Sequence, residues 1–215
     1  MHLPVKPKHN LEPQLSPTET EFPRVRATIG MLSSETLFKP LMLSLIQIER
    51  LVDEHVAVLI QRGLGAELGV SDYQFTEYGA DIMEDELPII SLSQIVLKYE
   101  PFSVEDIFFL KNKQFIISNA PPHHFTHEMI QFLQEKKITA VGINFFELEG
   151  SQLQEAVCQL VSALVFSSNH QHSLSLNPLF LKSVYCYKGE ICKRAIAEKA
   201  GVPWKDFMEL SWNWN

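Results

Sequence analysis

Two hydrophobic rhythms alternate along most of this chain. Short runs rich in β-branched residues read as strands: 24–31 (RVRATIGM), 55–61 (HVAVLIQ), 94–98 (QIVLK), 113–119 (KQFIISN) and 138–144 (ITAVGIN). Between them, apolar residues recur three or four apart, as one face of a helix requires. Leu41, Leu45, Ile48 and Leu51, joined by Ile46 and Val52, predict a helix over 41–53. A short helix follows, with Ser71 or Asp72 as its N-cap and Gly79 as its stop. SVEDIFFL (103–110) predicts another, capped by Ser103, and THEMIQFLQEKK (126–137) places Met129, Ile130 and Leu133 on one face. Strands separated by helices of this length imply repeated βαβ units and a mostly parallel sheet. Right-handed crossovers then put helices on both faces.

The pattern changes at both ends. Pro4, Pro7, Pro13, Pro17 and Pro23 interrupt any regular helix in residues 1–23, which read as an extended arm. Beyond Gly150, residues 152–166 form one long apolar helix, and 167–177 (SSNHQHSLSLN) read as a polar linker. A last segment, 178–210, carries a predicted helix over 190–200, stopped by Gly201 with Pro203 beyond. The expectation is one α/β domain over 24–215, made of 24–166 and a return segment 178–210.

Composition narrows the class. With 215 residues, 46% of them apolar and 20% charged, the chain can bury a core without metals or disulfides. A net charge of −8 offers no overall footprint for nucleic acid, and no run of 18 apolar residues is present to span a membrane. Three cysteines, Cys158, Cys186 and Cys192, suit a reducing cytoplasm better than a disulfide scaffold.

The stretches RGLGAELGVSDYQFTEYGADI, SQIVLKYEP and KKITAVGINFFE, in that order, resemble the amino-terminal domain of alanine dehydrogenases and nicotinamide nucleotide transhydrogenases. LKSVYCYKGEICKRAIAEKAGVPWKDF resembles the carboxy-terminal segment of the same dehydrogenases. The resemblance implies a three-layer, doubly wound sheet, flavodoxin-like, as in the catalytic domains of formate and glycerate dehydrogenases. It also implies a discontinuous domain into which a Rossmann dinucleotide domain is inserted. Here the exit helix and the return segment are joined by roughly ten polar residues, where a dinucleotide domain needs on the order of 100 or more. The expectation is a relative without that cofactor domain.

Family members hold pyruvate or alanine with an arginine, a lysine and a histidine. By position the lysine falls on Lys98, the arginine on Pro40 with Lys39 beside it, and the histidine on Pro121, with His123 and His124 just beyond. Lys98, Lys39, His123 and His124 are therefore a possible anion-binding remnant, and Lys98 could equally pair with Glu100. Lysine offers a point charge where arginine offers a planar fork. His123, His124 and His127, with His170 and His172, could attract a metal, but the placing favours a solvated helix start. Gly63, Gly65 and Gly69 approach a dinucleotide fingerprint, yet Val70 and Ser71 intervene before the helix, so the turn reads as structural or as the wall of a pocket.

These readings predict no catalytic, cofactor-binding or metal residues, and no cofactor. The expected function is a non-catalytic, cytoplasmic relative of the substrate domain that binds another protein or itself, as a homodimer. Nucleic acid and membrane are not expected partners. The alternatives are a sensor of a small carboxylate, such as a keto acid or amino acid, through Lys98, or one subunit of a split NAD(P)-dependent oxidoreductase.

Overall fold

The computed structural model describes residues 25–33, 42–167 and 170–212. The proline-rich arm, Lys39 and Pro40 lie outside the described residues. The elements run β1 (Ala27–Leu32), α1 (Leu45–Asp53), β2 (Val56–Gln61), α2 (Asp72–Glu77), β3 (Asp81–Met83), α3 (Glu86–Leu92) and β4 (Ile95–Lys98). Then come α4 (Val104–Phe109), β5 (Phe115–Ser118), α5 (His127–Glu135), β6 (Thr139–Gly142) and α6 (Gly150–Phe166). The chain continues through α7 (His170–Leu176), α8 (Pro178–Ser183), β7 (Val184–Tyr187), β8 (Glu190–Ile191), α9 (Arg194–Ala200) and α10 (Phe207–Trp212).

The strands form one sheet in the order β3-β2-β1-β4-β5-β6-β7-β8. The first six are parallel, and β7 and β8 add antiparallel. Its centre, β2-β1-β4-β5-β6, has the flavodoxin order, and the three-residue β3 is an added edge strand. Nearly every residue of β1, β2, β4 and β6 is buried, because both faces of the sheet are covered. On one face Ile29, Met31 and Leu97 pack with Ile48 and Leu51 of α1, Phe75 of α2, and Val157 and Leu160 of α6. On the other, Leu32, Val96 and Ile116 pack with Ile89 of α3, Ile107 of α4, Ile130 of α5 and Ile196 of α9. The three-layer, mostly parallel α/β architecture is the expected one.

Local chemistry sets the helix starts. Ser44, Ser71, Ser103 and Thr126 each accept the N–H of the third helical residue, whose side chain returns a bond to the cap backbone. Ser71, not Asp72, is the cap of α2, and Gly79 stops it at φ 84°.

Three stretches differ from expectation. β3 and α3 have no strong periodic signal, and α3 carries Pro88 in its first turn, where a helix has no use for the missing N–H. The stretch 167–177, read as a polar linker, is helical over His170–Leu176, anchored by the fully buried Leu174. The stretch ahead of α9 is a hairpin instead of the start of a helix: β7 and β8 join through Lys188 and Gly189, at φ 49° and 87°. Positive φ at both turn residues matches the twist of the flanking strands. The link from α6 to β7 is thus residues 167–183, with two short helices.

Candidate functional site

Open α/β sheets bind ligands beyond the carboxyl ends of the strands, where the strand order reverses. Here that point lies between β1 and β4, and Lys98, paired with Leu32 across it, is the last residue of β4. Its Nζ stands 2.7 Å from Asp106 Oδ2, with the two side chains 13% and 4% exposed. Asp106 is the third residue of α4. The same oxygen accepts the Ser103 N–H at 2.8 Å, and Ser103 Oγ accepts the Asp106 N–H at 3.0 Å. The ammonium is therefore held by a carboxylate of this chain that also fixes the start of α4.

The glycine-rich turn after β2 follows the same logic. Gly63 and Gly69 have φ of 77° and 72°, and a single 3₁₀ turn spans Ala66–Leu68. The Gly63 N–H donates to Asp72 Oδ1 at 2.9 Å, and Arg62 pairs with Glu84 at 2.8 Å. A dinucleotide would need that N–H and the start of a long helix for its pyrophosphate. Here an aspartate takes the N–H and α2 has six residues. The turn does not fit a dinucleotide.

The expected histidines lie on the far side of the same edge, in a 3₁₀ turn Pro122–His124 after β5. They do not converge. His124 Nε2 donates to the Phe102 carbonyl at 2.9 Å, and His127 Nδ1 to the Ala200 carbonyl at 3.0 Å. His123 is exposed, and its carbonyl accepts from Lys199. His170 packs edge-on against Phe115 with its ring centre 5.2 Å away, and burial lowers its pKa. Among the described residues no three His, Cys, Asp or Glu side chains gather as a metal would require.

Two strands further along the sheet from β5 stands a residue the sequence pattern does not single out. Tyr185 is fully buried, and its hydroxyl reaches the Ala120 carbonyl at 2.6 Å and the Asn144 amide. Its ring lies so close to Gly142 that a Cβ there would sit 2.3 Å from it. Phe125 and Phe145 meet it edge-on at 5.3 and 5.9 Å. Burial pushes the phenol well above its ordinary range, so it stays protonated. Tyr185 falls at a bulge: Ala140 pairs with Cys186 and Val141 with Val184, leaving Tyr185 as the extra residue.

The cysteines behave as structural thiols. Cys186 packs on one face of the sheet and Cys192 on the other, so the hairpin keeps them from bonding. Burial pushes Cys192 up to about 12, and raises Cys186 and Cys158 as well.

A doubly wound sheet with Lys98 at its switch point is the class of domain these features define. Residues 45–159, more than half of the chain, match the family described as alanine dehydrogenase/PNT, N-terminal domain. The chain belongs to that family, as its motifs implied. It is 28% identical over 99 residues to an NAD(P) transhydrogenase alpha-subunit chain of Rickettsia prowazekii (strain Madrid E), covering 44% of this chain and 26% of that protein. It therefore spans about a quarter of that relative's length. Among solved structures it is similar to a transhydrogenase from Sinorhizobium meliloti, with TM-score 0.45 and 14% identity over 54% of this chain and 35% of the other. An L-alanine dehydrogenase gives TM-score 0.47 and 19% identity over 64% and 36% of the two chains. No helix among the described residues is long and apolar enough to cross a membrane.

Proposed function

We propose that this chain is a non-catalytic, cytoplasmic relative of the alanine dehydrogenase and transhydrogenase substrate domain, serving as an interaction module that binds another protein or itself. One observation carries this reading: the Lys98 ammonium is neutralised by Asp106. An incoming keto acid would have to take Lys98 from a carboxylate that is 4% exposed. Leaving one buried charge without its partner costs roughly 3–5 kcal/mol. Asp72 supports the same reading at the glycine turn, where it takes the N–H a phosphate would use. Exposed apolar side chains, among them Phe108, Phe109, Leu92 and Trp204, supply surface for contacts.

The test follows reduced nicotinamide absorbance with the whole chain, pyruvate and ammonium, and the thermal midpoint with pyruvate, alanine and dicarboxylates. The expected results are no turnover and no midpoint shift. A midpoint rise with pyruvate that disappears in Lys98→Ala would replace this reading with the small-carboxylate sensor. Turnover on adding a separate dinucleotide-binding chain would replace it with the split oxidoreductase.

A further inference from the structure

The opposite end of the sheet carries a different set of charges. Three turns meet there: 110–114 between α4 and β5, 134–138 between α5 and β6, and 187–190 between β7 and β8. Lys113 N–H donates to the Lys136 carbonyl at 2.8 Å, and Gly189 N–H to the Ile138 carbonyl at 3.0 Å. The joined turns hold Lys111, Lys113, Lys136, Lys137 and Lys188, against Glu135 and Glu190. Glu190 is taken up by Lys205 at 2.9 Å. In a chain of net charge −8 this edge is locally basic. Beside it, at the end of α4, Phe108 and Phe109 are 55% and 45% exposed. Phe108 packs edge-on against Phe109 and Phe132, with ring centres 5.4 and 5.7 Å away.

Helix-end chemistry explains one of these lysines. Lys136 Nζ donates to the carbonyls of Ile107, Phe108 and Leu110, closing the end of α4, and lies over the Phe108 and Phe132 rings. Helix α5 likewise ends with the Lys137 N–H on the Gln134 carbonyl at 3.2 Å and the Ile138 N–H on the Leu133 carbonyl at 2.9 Å, which calls for a left-handed residue at 137, as the hairpin turn does at 188, but in neither place for lysine in preference to glycine. Among the described residues five non-glycine residues have positive φ, and three are Lys113, Lys137 and Lys188, at 67°, 54° and 49°. Glycine adopts that conformation freely and lysine does not. Three exposed lysines thus stand on one edge where the backbone favours glycine. Strain kept at a cluster of like side chains points to a use for those side chains.

We propose that this edge docks on an anionic phospholipid surface, with the lysines over the headgroups and Phe108 and Phe109 in the interfacial layer. This goes beyond the reading of the Lys98 edge and does not depend on it. It also replaces the expectation that a membrane is not a partner. Two points favour lipid over an acidic protein. The four exposed cations, Lys111, Lys113, Lys137 and Lys188, are all lysines, point charges suited to a diffuse layer of headgroups and not to the bidentate grip on a carboxylate that arginine gives. The phenylalanines are exposed on the same edge, which suits shallow insertion. A second copy would set lysine edge against lysine edge, and the acidic remainder of the chain turns this edge toward a negative surface.

The experiment is sedimentation of the whole chain with vesicles of phosphatidylcholine alone or with about 30 mol % phosphatidylserine, each lysine near such a surface adding about fivefold in binding. Binding to the anionic vesicles is expected to exceed that to neutral ones by more than tenfold and to weaken as salt is raised. Charge reversal at Lys111, Lys113 and Lys137 should abolish it, with the thermal midpoint reporting that the variant folds. Phe108→Ser with Phe109→Ser should weaken it and leave its salt dependence. The decisive variant is Lys113→Gly, Lys137→Gly, Lys188→Gly: relief of the backbone should raise the midpoint while vesicle binding falls by at least tenfold. Equal binding to both vesicle types overturns the proposal. So does a glycine variant that binds as well as the parent. Displacement from vesicles by poly-glutamate at equal charge would assign the edge to an acidic protein and overturn it too.

Discussion

At the carboxyl ends of β1 and β4, Lys98 is nearly buried and meets Asp106, which in turn is tied to the Ser103 cap. At the other end of the same sheet, Lys113, Lys137 and Lys188 are exposed, at backbone angles that suit glycine better. The first arrangement satisfies its charge within the chain. The second sets lysine side chains at the surface on a backbone that favours glycine. A cation already held by a buried carboxylate of its own chain costs more to hand over to a ligand, even where the fold customarily binds one. A strained, outward-facing set of cations is a better candidate for contact, although no rule of the fold points to it.

The comparison is broken most completely by removing what joins the two ends. β7 brings Tyr185 to one edge and leads into Lys188 at the other, and it pairs with β6. Ending the chain at Asn177 removes β7 together with the buried Phe180, Val184, Tyr185, Tyr187, Ile191 and Phe207. The expected outcome is loss of the cooperative thermal transition, since the lost burial is comparable to a domain's whole stability of roughly 5–15 kcal/mol. A truncated chain that melts like the parent would show that the return segment does not complete the domain.

The next effect concerns the closed end. Asp106→Ala leaves Lys98 without its carboxylate and should cost roughly 3–5 kcal/mol. Adding Lys98→Met should recover some of that loss, because the stranded charge goes with it. Added acetate should raise the midpoint of Asp106→Ala and leave the parent unmoved, as a free carboxylate takes the vacated place. Absence of that rescue would mean that the crevice cannot admit an anion even when its own is removed. Thermal scans with and without acetate decide it.

Much of this was legible in the sequence, and the misses have physical causes. Ser71, Ser103 and Thr126 stood before apolar periodicity and do cap α2, α4 and α5. Lys98 at the end of a buried run was readable as a sheet-edge cation. Its partner was not, because an acid at the third helical position reads equally well as a member of a capping box. Tyr185 escaped because a bulge breaks the two-residue alternation on which strand reading depends. The lysine edge escaped for another reason: its members lie on three turns up to 77 residues apart, and only the sheet order brings those turns together. Overall charge concealed it further.

Alkaline pH tests the interior between the two ends. Cys192 has an ordinary pKa of 9.0, and burial raises it to about 12 in the fold; Cys186 and Tyr185 shift upward as well. The folded state therefore favours the protonated forms. Their contribution is fully present below pH 9.0 and is lost as pH rises toward about 12, where Cys192 ionises in the fold too. Each thiol should remove up to about 1.4 kcal/mol per pH unit in that window. Denaturant midpoints measured from neutral to alkaline pH should fall in this range, with a shallower slope for Cys192→Ser. A flat profile would show that the thiols are less enclosed than their packing indicates.

The smallest effect is the sharpest test of the basic edge, because it uses a control within the molecule. His55 also has positive φ, at 64°, just after α1, and its carbonyl accepts the Arg26 N–H at 2.9 Å. Lys137, at 54°, stands in the same relation to α5. Glycine at either position removes a left-handed penalty of roughly 1–2 kcal/mol and adds chain entropy to the unfolded state, so each change should stabilise by about 0.5–1 kcal/mol. The two should then diverge. His55→Gly is expected to melt higher and to bind anionic vesicles as the parent does, whereas Lys137→Gly is expected to melt higher and bind more weakly. If both variants gain stability and neither loses binding, lysine at that angle is an accident of sequence, and the contrast between the two ends of the sheet reduces to the closed site alone.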